Sequence, residues 1–195
     1  MRGEGKSTTA VNLSYVLAES GNKVLLIDGD LRIPSVGRKM RIPNNPGLTD
    51  LLKNINELNY EDYDFEHCRN WHIIPSGDLP PNPSELLGSA RMEKLLLNLK
   101  EKYDFIIIDL PPVNIVSDAA AISKFLSGIV VVIRENYAEK QELDTCMTQL
   151  QLSNVKILGC VINDAKGGKG YYGRNKYKKH YQRYYSTYGY TQGKA

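Results

Sequence analysis

Apolar residues in the first 165 positions form short, strand-sized runs that alternate with stretches of helical periodicity. The runs predict strands at 23–28, 71–75, 105–109, 129–133 and 156–163. The periodic stretches predict helices at 5–19, 47–53, 83–99, 118–125 and 138–150, with a loop over 34–46. Strands that alternate with helices in this way are typical of a parallel sheet covered on both faces. The pattern therefore predicts an α/β fold with a doubly wound, mostly parallel sheet.

The pattern changes beyond residue 165, where Gly, Tyr, Lys, Arg and Asn replace the aliphatic residues. This tail contains eight tyrosines, which are Tyr171, Tyr172, Tyr177, Tyr181, Tyr184, Tyr185, Tyr188 and Tyr190. Such a segment cannot bury enough apolar surface to offset the entropy of ordering it. We therefore expect a folded domain over 1–165 and a disordered, basic, tyrosine-rich tail over 166–195.

Charge divides the chain at the same place. Eight Lys and Arg and no Asp or Glu follow residue 165, although the whole chain has a formal net charge of only +3. The first 165 residues therefore carry a formal charge of −5. A basic, aromatic tail fits nucleic acid, because aromatic rings stack on bases and cations meet phosphates. It fits equally well a substrate segment whose tyrosines accept phosphate.

Cysteine usage and hydropathy restrict the cellular setting. Cys68, Cys146 and Cys160 lack CxxC spacing, which argues against a disulfide framework and against a zinc site. The apolar runs are far shorter than the roughly 20 residues that cross a bilayer. The polar, glycine-rich start does not have the apolar segment of a signal peptide. These features predict a cytoplasmic protein whose contact with a membrane goes through a partner.

The start of the chain resembles half of a phosphate-binding loop. Its residues are Gly3, Glu4, Gly5, Lys6, Ser7 and Thr8. In the pattern G-x-x-x-x-G-K-[ST], glycines let backbone N–H groups converge on phosphates, the lysine reaches the β and γ oxygens, and the hydroxyl binds magnesium. The first glycine would fall one residue before Met1, and the strand that delivers the loop is absent too. We expect either a fragment with a misplaced start or a loop that holds nucleotide less well than a complete one.

Three aspartates stand at the ends of predicted strands. Asp28 and Asp30 lie at and just beyond the end of one strand, and Asp109 closes another. Doubly wound sheets bind their ligands at this edge. Carboxylates are ligands for magnesium, and a carboxylate can also accept the proton of an incoming hydroxyl. Together with the loop, the aspartates predict a magnesium nucleotide site for phosphoryl transfer.

These motifs resemble those of the BY-kinases, the bacterial tyrosine kinases of capsule and exopolysaccharide biosynthesis, in the form of a separate cytoplasmic kinase subunit. Segment 3–7 is similar to the family's Walker A motif, 27–32 to its D-x-D-x-R Walker A′ motif, and 106–111 to its Walker B motif. Segment 74–87 and the tyrosine cluster extend the match over nearly the whole chain. The resemblance implies a P-loop NTPase-like fold of the MinD/ParA type, here without its first strand.

The resemblance also implies an activity and a set of roles. The protein would be an ATP- and Mg²⁺-dependent, non-specific protein-tyrosine kinase that phosphorylates its own tail. Lys6 would bind and polarise the phosphates, and Asp28 would be the base for the tyrosine hydroxyl. The metal would be held, directly or through water, by Ser7, Asp30 and Asp109. The catalytic residues would be Lys6, Asp28 and Asp30.

Further residues enter through the same resemblance. The residues that would contact the nucleotide are Gly3, Glu4, Gly5, Lys6, Ser7, Thr8, Arg32 and Asn163. Arg32 would steady the carboxylates or the phosphates. Asn163 would contact adenine, although an asparagine at the end of a strand is more often a turn former. Leu110 departs from the family pattern, since many relatives have Thr or Ser there.

Partners follow from the family as well. The resemblance implies a homo-oligomeric ring with phosphorylation between subunits, although the family's helix upstream of Walker A has no counterpart in this sequence. It also implies a transmembrane polysaccharide co-polymerase as activator, a cognate phosphotyrosine phosphatase, and a position at the inner face of the membrane. No nucleic-acid partner is expected.

Two other functions stay open at this point. A ParA/MinD-type partitioning ATPase would use the same kind of loop, but those proteins have a signature lysine where this chain has Met1, and they lack a terminal tyrosine cluster. A nucleic-acid-binding module with a decayed nucleotide site would bind RNA through the tail and would not turn over ATP.

Overall fold

A computed structural model of the protein describes residues 3–53, 64–65, 68–115 and 117–165. The helices are α1 (Lys6–Glu19), α2 (Val36–Met40), α3 (Leu48–Lys53), α4 (Pro83–Leu87), α5 (Ala90–Lys100), α6 (Asp118–Ile122) and α7 (Lys140–Leu152). The strands are β1 (Val24–Asp28), β2 (Asp64–Phe65), β3 (Cys68–Ile74), β4 (Phe105–Asp109), β5 (Ile129–Arg134) and β6 (Ile157–Asn163). A short 3₁₀ helix, Ser123–Phe125, follows α6.

The described strands form two sheets. One has the order β2-β3-β1-β4, in which β1 pairs in parallel with both β3 and β4, and β2 is antiparallel to β3. The other is the parallel pair β5-β6. Helices separate the parallel strands along the chain, as parallel connections require. The predicted mostly parallel α/β class is confirmed, and no described strand links β4 to β5.

The position of strand β1 in the middle of the sheet explains its run of apolar residues. All five of its residues are buried, because helices cover both faces of the sheet. Leu25 and Ile27 face a core that includes residues of α3 and α5, whereas Val24 and Leu26 face a second core with Trp71 and residues of α1. The central strand is therefore fixed from both sides, and so is the loop at its carboxyl end.

The register of β1 and β4 places two acidic residues opposite each other. Asp28 is the partner of Asp109 in this parallel pair. Parallel strands end at the same edge of a sheet, so the loops after β1, β3 and β4 all lie at that edge. The sheet thus brings together residues that are far apart in the sequence.

Three element predictions need correction. Residues 34–46 were expected to be a loop, but they contain α2, whose first backbone N–H groups, those of Ser35 and Val36, bind the carboxylate of Asp28. The single helix expected over 83–99 is two helices, because Gly88 ends α4 and Ser89 caps α5 by accepting a hydrogen bond from the Met92 N–H. Strand β3 begins at Cys68, earlier than expected, and pairs with β2.

The tail lies outside the described residues, together with the eight tyrosines predicted to accept phosphate. The division into a domain over 1–165 and a tail therefore stays a prediction. In the described part of the chain, no helix has the length and apolar character needed to cross a bilayer.

Candidate active site

The phosphate loop has a backbone that its glycines make possible. Gly3 and Gly5 have φ values of 80° and 89°, in the left-handed region that residues with a Cβ rarely occupy. Gly5 leads directly into α1, and its carbonyl accepts a hydrogen bond from the Thr9 N–H at 2.8 Å. The unpaired N–H groups of the first helical turn are suited to bind an anion. Lys6, Ser7 and Thr8 belong to that turn.

Two side chains from other elements contact the loop. The amide of Asn163, at the end of β6, donates to the Glu4 carbonyl at 2.8 Å, and a Cβ on Gly5 would collide with the same amide. The ammonium of Lys39 in α2 lies 3.1 Å from the Thr8 hydroxyl. Asn163 therefore supports the loop backbone in this structure, and its adenine contact stays a prediction. Sequence analysis missed Lys39, because nothing in the pattern of 34–46 relates it to the loop.

Asp28 is completely buried and receives three backbone hydrogen bonds. The N–H groups of Ser35 and Val36 donate to Oδ2 at 3.0 and 2.9 Å, and the Asp30 N–H donates to Oδ1 at 3.3 Å. Burial disfavours the charged form more strongly than these bonds favour it, and it raises the pKa of Asp28 to about 6. A carboxyl group with such a pKa can take up a proton near neutral pH.

Asp109 lies beside Asp28 and is only 3% exposed. Burial raises the pKa of Asp109 to about 7, and a hydrogen bond with Ser7 opposes this shift. Its Oδ2 atom is buried and has no hydrogen-bond partner. A buried carboxylate oxygen without a partner is costly, so this atom is suited to bind a cation that the nucleotide brings. Ser7 and Asp109 are thus brought together as predicted.

Asp30 is only half-buried, and it lies within electrostatic reach of the other two aspartates. Its Oδ1 accepts the backbone N–H groups of Arg32 and Ile33 at 3.3 and 3.0 Å, which stabilises its own turn. Among the described residues, no group of three or more Asp, Glu, His or Cys side chains is arranged to hold a metal. A site with one or two carboxylates, a hydroxyl and phosphate oxygens nevertheless fits Mg²⁺, which keeps several ligands from water and substrate.

Arg32 does not point at the phosphate loop in this structure. Its guanidinium binds the carboxylate of Asp118, with both Nε and Nη2 at 2.9 Å, and Nη2 also lies 3.2 Å from the Ser84 hydroxyl. The hydrogen bonds to Asp118 raise the pKa of Arg32 above its usual value. Sequence analysis missed Asp118 and Ser84, because a Ser or Asp near the start of a helix normally indicates only a cap.

The raised pKa values of Asp28 and Asp109 make the metal-free protein less stable at higher pH. Each group has a pKa of about 6 or 7 when folded but an ordinary value of 3.8. Their contribution to the free energy of unfolding is therefore fully present below pH 4 and is lost as pH rises through 6 and 7. At about 1.4 kcal/mol per pKa unit, the loss amounts to a few kcal/mol for each group.

Denaturant unfolding in EDTA at pH 5 and pH 8 measures the part of this loss that falls between the two pH values. We expect Asp109→Asn to lose less stability than wild type between the two pH values, because the buried charge never forms. The matched control is Asp104→Asn, at an exposed position before β4, which should behave as wild type. An equal loss in wild type and Asp109→Asn contradicts the assignment.

Comparison with known proteins places this site in a family. A family model described as an AAA domain matches residues 2–163. The chain is 38% identical over 175 residues to the tyrosine-protein kinase YwqD of Bacillus subtilis, covering 88% of this chain and 73% of that protein. It is 34% identical over 185 residues to the tyrosine-protein kinase CpsD of Streptococcus agalactiae, covering 91% and 80%. The chain belongs to the bacterial tyrosine-protein kinase family. The resemblance seen in the motifs is thereby confirmed.

Solved structures agree with this family and with its fold. The chimerical protein CapA2B2 matches with a TM-score of 0.80 and 38% identity, covering 86% of this chain and 74% of the other. The septum site-determining protein MinD of Pyrococcus horikoshii, solved with Mg-ADP, matches with a TM-score of 0.63 and 26% identity, covering 87% and 69%. The P-loop NTPase-like fold is therefore confirmed, and tyrosine kinases match it at higher sequence identity than MinD does.

Proposed function

We propose that this chain is an ATP-dependent protein-tyrosine kinase that phosphorylates the tyrosines of its own 166–195 segment. The main support is one arrangement: a buried carboxylate pair, Asp28 and Asp109, stands beside the lysine and the hydroxyl of a phosphate loop. Membership of the tyrosine-kinase family supports the same activity. The segment itself, basic and rich in tyrosine, supplies acceptors that a nucleotide hydrolase would not need.

Each residue has a definite task in this proposal. The N–H groups around Gly5 and the ammonium of Lys6 bind the phosphates and balance charge that develops on them. Ser7 and Asp109 would hold Mg²⁺, and Asp30 would hold it through water. When bound, the metal neutralises phosphate charge. Asp28 orients the tyrosine hydroxyl and accepts its proton.

The transfer balances in atoms and charge. The phenol oxygen forms a bond to the γ-phosphorus while the bond from that phosphorus to the β–γ bridging oxygen breaks. The phenol proton moves to the carboxylate of Asp28, and ADP leaves. A folded pKa of about 6 suits this role, since the base is ionised at neutral pH and still takes up a proton as the phenol becomes acidic.

A membrane partner and a second copy complete the proposal. We propose that the chain docks on a transmembrane polysaccharide co-polymerase at the inner face of the membrane, forms a homo-oligomer, and phosphorylates the tails of neighbouring subunits. A phosphotyrosine phosphatase would reverse the modification. Each phosphate adds about −1.5 to −2 charges, so a few events would reverse the charge of the tail. Such a reversal would change its attraction to the acidic domain and so regulate capsular or exopolysaccharide polymerisation and export.

The acceptor assignment is tested by incubating the protein with Mg-ATP and mapping phosphotyrosine by mass spectrometry. We expect phosphate within 171–190 and none on the other tyrosines, which are Tyr15, Tyr60, Tyr63, Tyr103 and Tyr137. The control is a chain with Phe at all eight tail positions, which should bind Mg-ADP normally and take up no phosphate. A wild-type protein that binds Mg-ADP and never acquires phosphotyrosine contradicts the proposal and favours a MinD-type ATPase. Salt-dependent RNA binding without ATP turnover favours a nucleic-acid-binding module.

A further inference from the structure

One buried carboxylate connects three chain segments at the catalytic edge of the sheet. Asp118, the first residue of α6, has no exposed surface. Its Oδ2 accepts a hydrogen bond from Arg32 Nε, and its Oδ1 accepts one from Arg32 Nη2, both at 2.9 Å. The Ser84 hydroxyl, in the first turn of α4, also donates to Oδ1. All of this lies outside the phosphate loop and the Asp28–Asp109 pair.

The three residues come from the chain segments that follow three neighbouring strands. Arg32 lies in the loop after β1, Ser84 follows β3, and Asp118 follows β4, and these strands are adjacent in the order β3-β1-β4. The loop after β1 also carries Asp30, and Arg32 donates its own backbone N–H to Asp30. Asp118 therefore connects the loop after β1, which contains Asp30, to the chain segment that follows Asp109.

The chemistry of this contact makes it strong. A bidentate guanidinium–carboxylate pair is directional, and although the Arg32 side chain is 38% exposed, its removal would leave the fully buried carboxylate of Asp118 without compensation. The ion pairs of Lys53 have longer distances and a more exposed cation: its ammonium lies 3.7 Å from Asp50 and 3.8 Å from Asp78, and its side chain is 61% exposed. Exposed pairs contribute little to stability. The Arg32–Asp118 pair therefore adds a directional side-chain contact to the backbone hydrogen bonds with which Asp28 already holds the loop after β1.

We propose that Asp118 is a positioning residue of the kinase. Through Arg32, it holds Asp30 in place relative to Asp109, and it thereby sets the affinity for the divalent cation. Ser84 holds the carboxylate in the orientation that Arg32 requires. The inference rests on the proposed nucleotide and magnesium site. It assigns a role to Asp118 and Ser84, which do not contact the nucleotide in that proposal.

The test measures metal binding separately from catalysis. Free Mn²⁺ is followed by electron paramagnetic resonance in the presence of ADP for wild type, Asp118→Asn, Arg32→Met and the double variant, and kcat and KM for ATP are measured in parallel. We expect a Mn²⁺ affinity about 10-fold lower in Asp118→Asn, because losing a side chain that orients metal ligands typically costs at least this much affinity. We expect the affinity for ADP without metal to stay unchanged, because the phosphate loop is intact, and KM for Mg-ATP to rise with the loss of metal affinity, because metal and nucleotide binding are linked.

The double variant shows whether the two residues act together. If Asp118 acts through Arg32, the double variant is no worse than the more impaired single variant, since the effects of residues that act as a unit are not additive. Additive losses overturn the inference, and so does Mn²⁺ affinity that stays at the wild-type value in Asp118→Asn. Asp78→Asn, the same change at an exposed position after β3, is the matched control and should match wild type in every readout.

Two milder variants cover the case in which Asp118→Asn does not fold. Ser84→Ala leaves the ion pair in place and should lower Mn²⁺ affinity by about threefold, the equivalent of a neutral hydrogen bond at the low end of its range. Arg32→Lys keeps the charge but loses the bidentate geometry, and it should fall between wild type and Arg32→Met. The inference is contradicted if Ser84→Ala and Arg32→Lys both bind Mn²⁺ with wild-type affinity. A wild-type protein that binds no Mn-ADP contradicts the proposed nucleotide site instead.

Discussion

Lys6→Met is expected to abolish tyrosine phosphorylation. The Lys6 ammonium is the charge in the first turn of α1 that can reach the terminal phosphates, and methionine keeps its length and its apolar stem. Removal of one preorganised group that stabilises transition-state charge typically costs about 100- to 1,000-fold in rate. The affinity for Mg-ADP should fall about 10- to 100-fold, the equivalent of a hydrogen bond to a charged group. Phosphotyrosine quantified by mass spectrometry and titration calorimetry with Mg-ADP measure the two effects.

The matched control for Lys6→Met is Lys23→Met. Lys23 is exposed just before β1, at the opposite edge of the sheet from the phosphate loop. The Lys23→Met variant should retain the wild-type rate of phosphorylation and the wild-type affinity for Mg-ADP. Equal effects of the two substitutions would mean that Lys6 acts only through the overall charge of the protein. Mixing also tests transfer between subunits, because the Lys6→Met chain should become phosphorylated when an active chain is added.

Asp28→Asn is expected to remove catalysis while leaving nucleotide binding. Loss of a general base typically costs about 100- to 10,000-fold in rate, and the asparagine amide cannot accept the phenol proton. The fold should survive, because burial already favours the neutral form of Asp28, whose pKa is raised to about 6. Single-turnover transfer from ATP measures the rate, and Mg-ADP titration should give an affinity close to that of wild type.

Two comparisons make the Asp28 result specific. Asp104→Asn, before β4 and exposed, should transfer phosphate like wild type. Thermal unfolding at pH 8 should show a folded Asp28→Asn protein, because the asparagine oxygen can still accept the Ser35 and Val36 N–H groups and removal of the buried charge offsets the lost hydrogen bond from the Asp30 N–H. Wild-type transfer rates in a folded Asp28→Asn protein would exclude Asp28 as the base.

The sequence was sufficient to predict the parts of the fold that depend on continuous apolar runs. The run Val24–Asp28 is buried on both faces of the sheet, and only a strand or a buried helix can use such a run. Because it pairs in parallel with Phe105–Asp109, the aspartates that end the two runs are opposite each other. The glycines of the phosphate loop have positive φ values, as the motif requires.

Contacts between distant segments could not be predicted in this way. Helix α2 begins because the carboxylate of Asp28 satisfies two of its first N–H groups, and that stabilisation depends on the tertiary structure. The pairing of Arg32 with Asp118 joins residues 86 positions apart. Nothing in the spacing of an arginine in one loop and an aspartate at a helix start indicates that they meet. Arg32 was therefore predicted to contact carboxylates or phosphates of the site, and the structure places it on Asp118.

The split between α4 and α5 is a different case, because its signal was present in the sequence. Gly88 and Ser89 are a typical helix end followed by a typical N-cap, and the Ser89 hydroxyl does accept the Met92 N–H. The leucine periodicity of 83–99 crosses this pair without interruption, and it was given more weight than the two cap residues. Local capping decides the boundary here.

A crystal structure of the protein with Mn²⁺ and ADP tests the central claim most directly, because the anomalous signal of manganese identifies the position of the metal. The account predicts Mn²⁺ held by the Ser7 hydroxyl and by Asp109, directly or through water, next to ADP phosphates that contact Lys6. Manganese and ADP found elsewhere on the protein, with Lys6 and Ser7 free of phosphate, would contradict it.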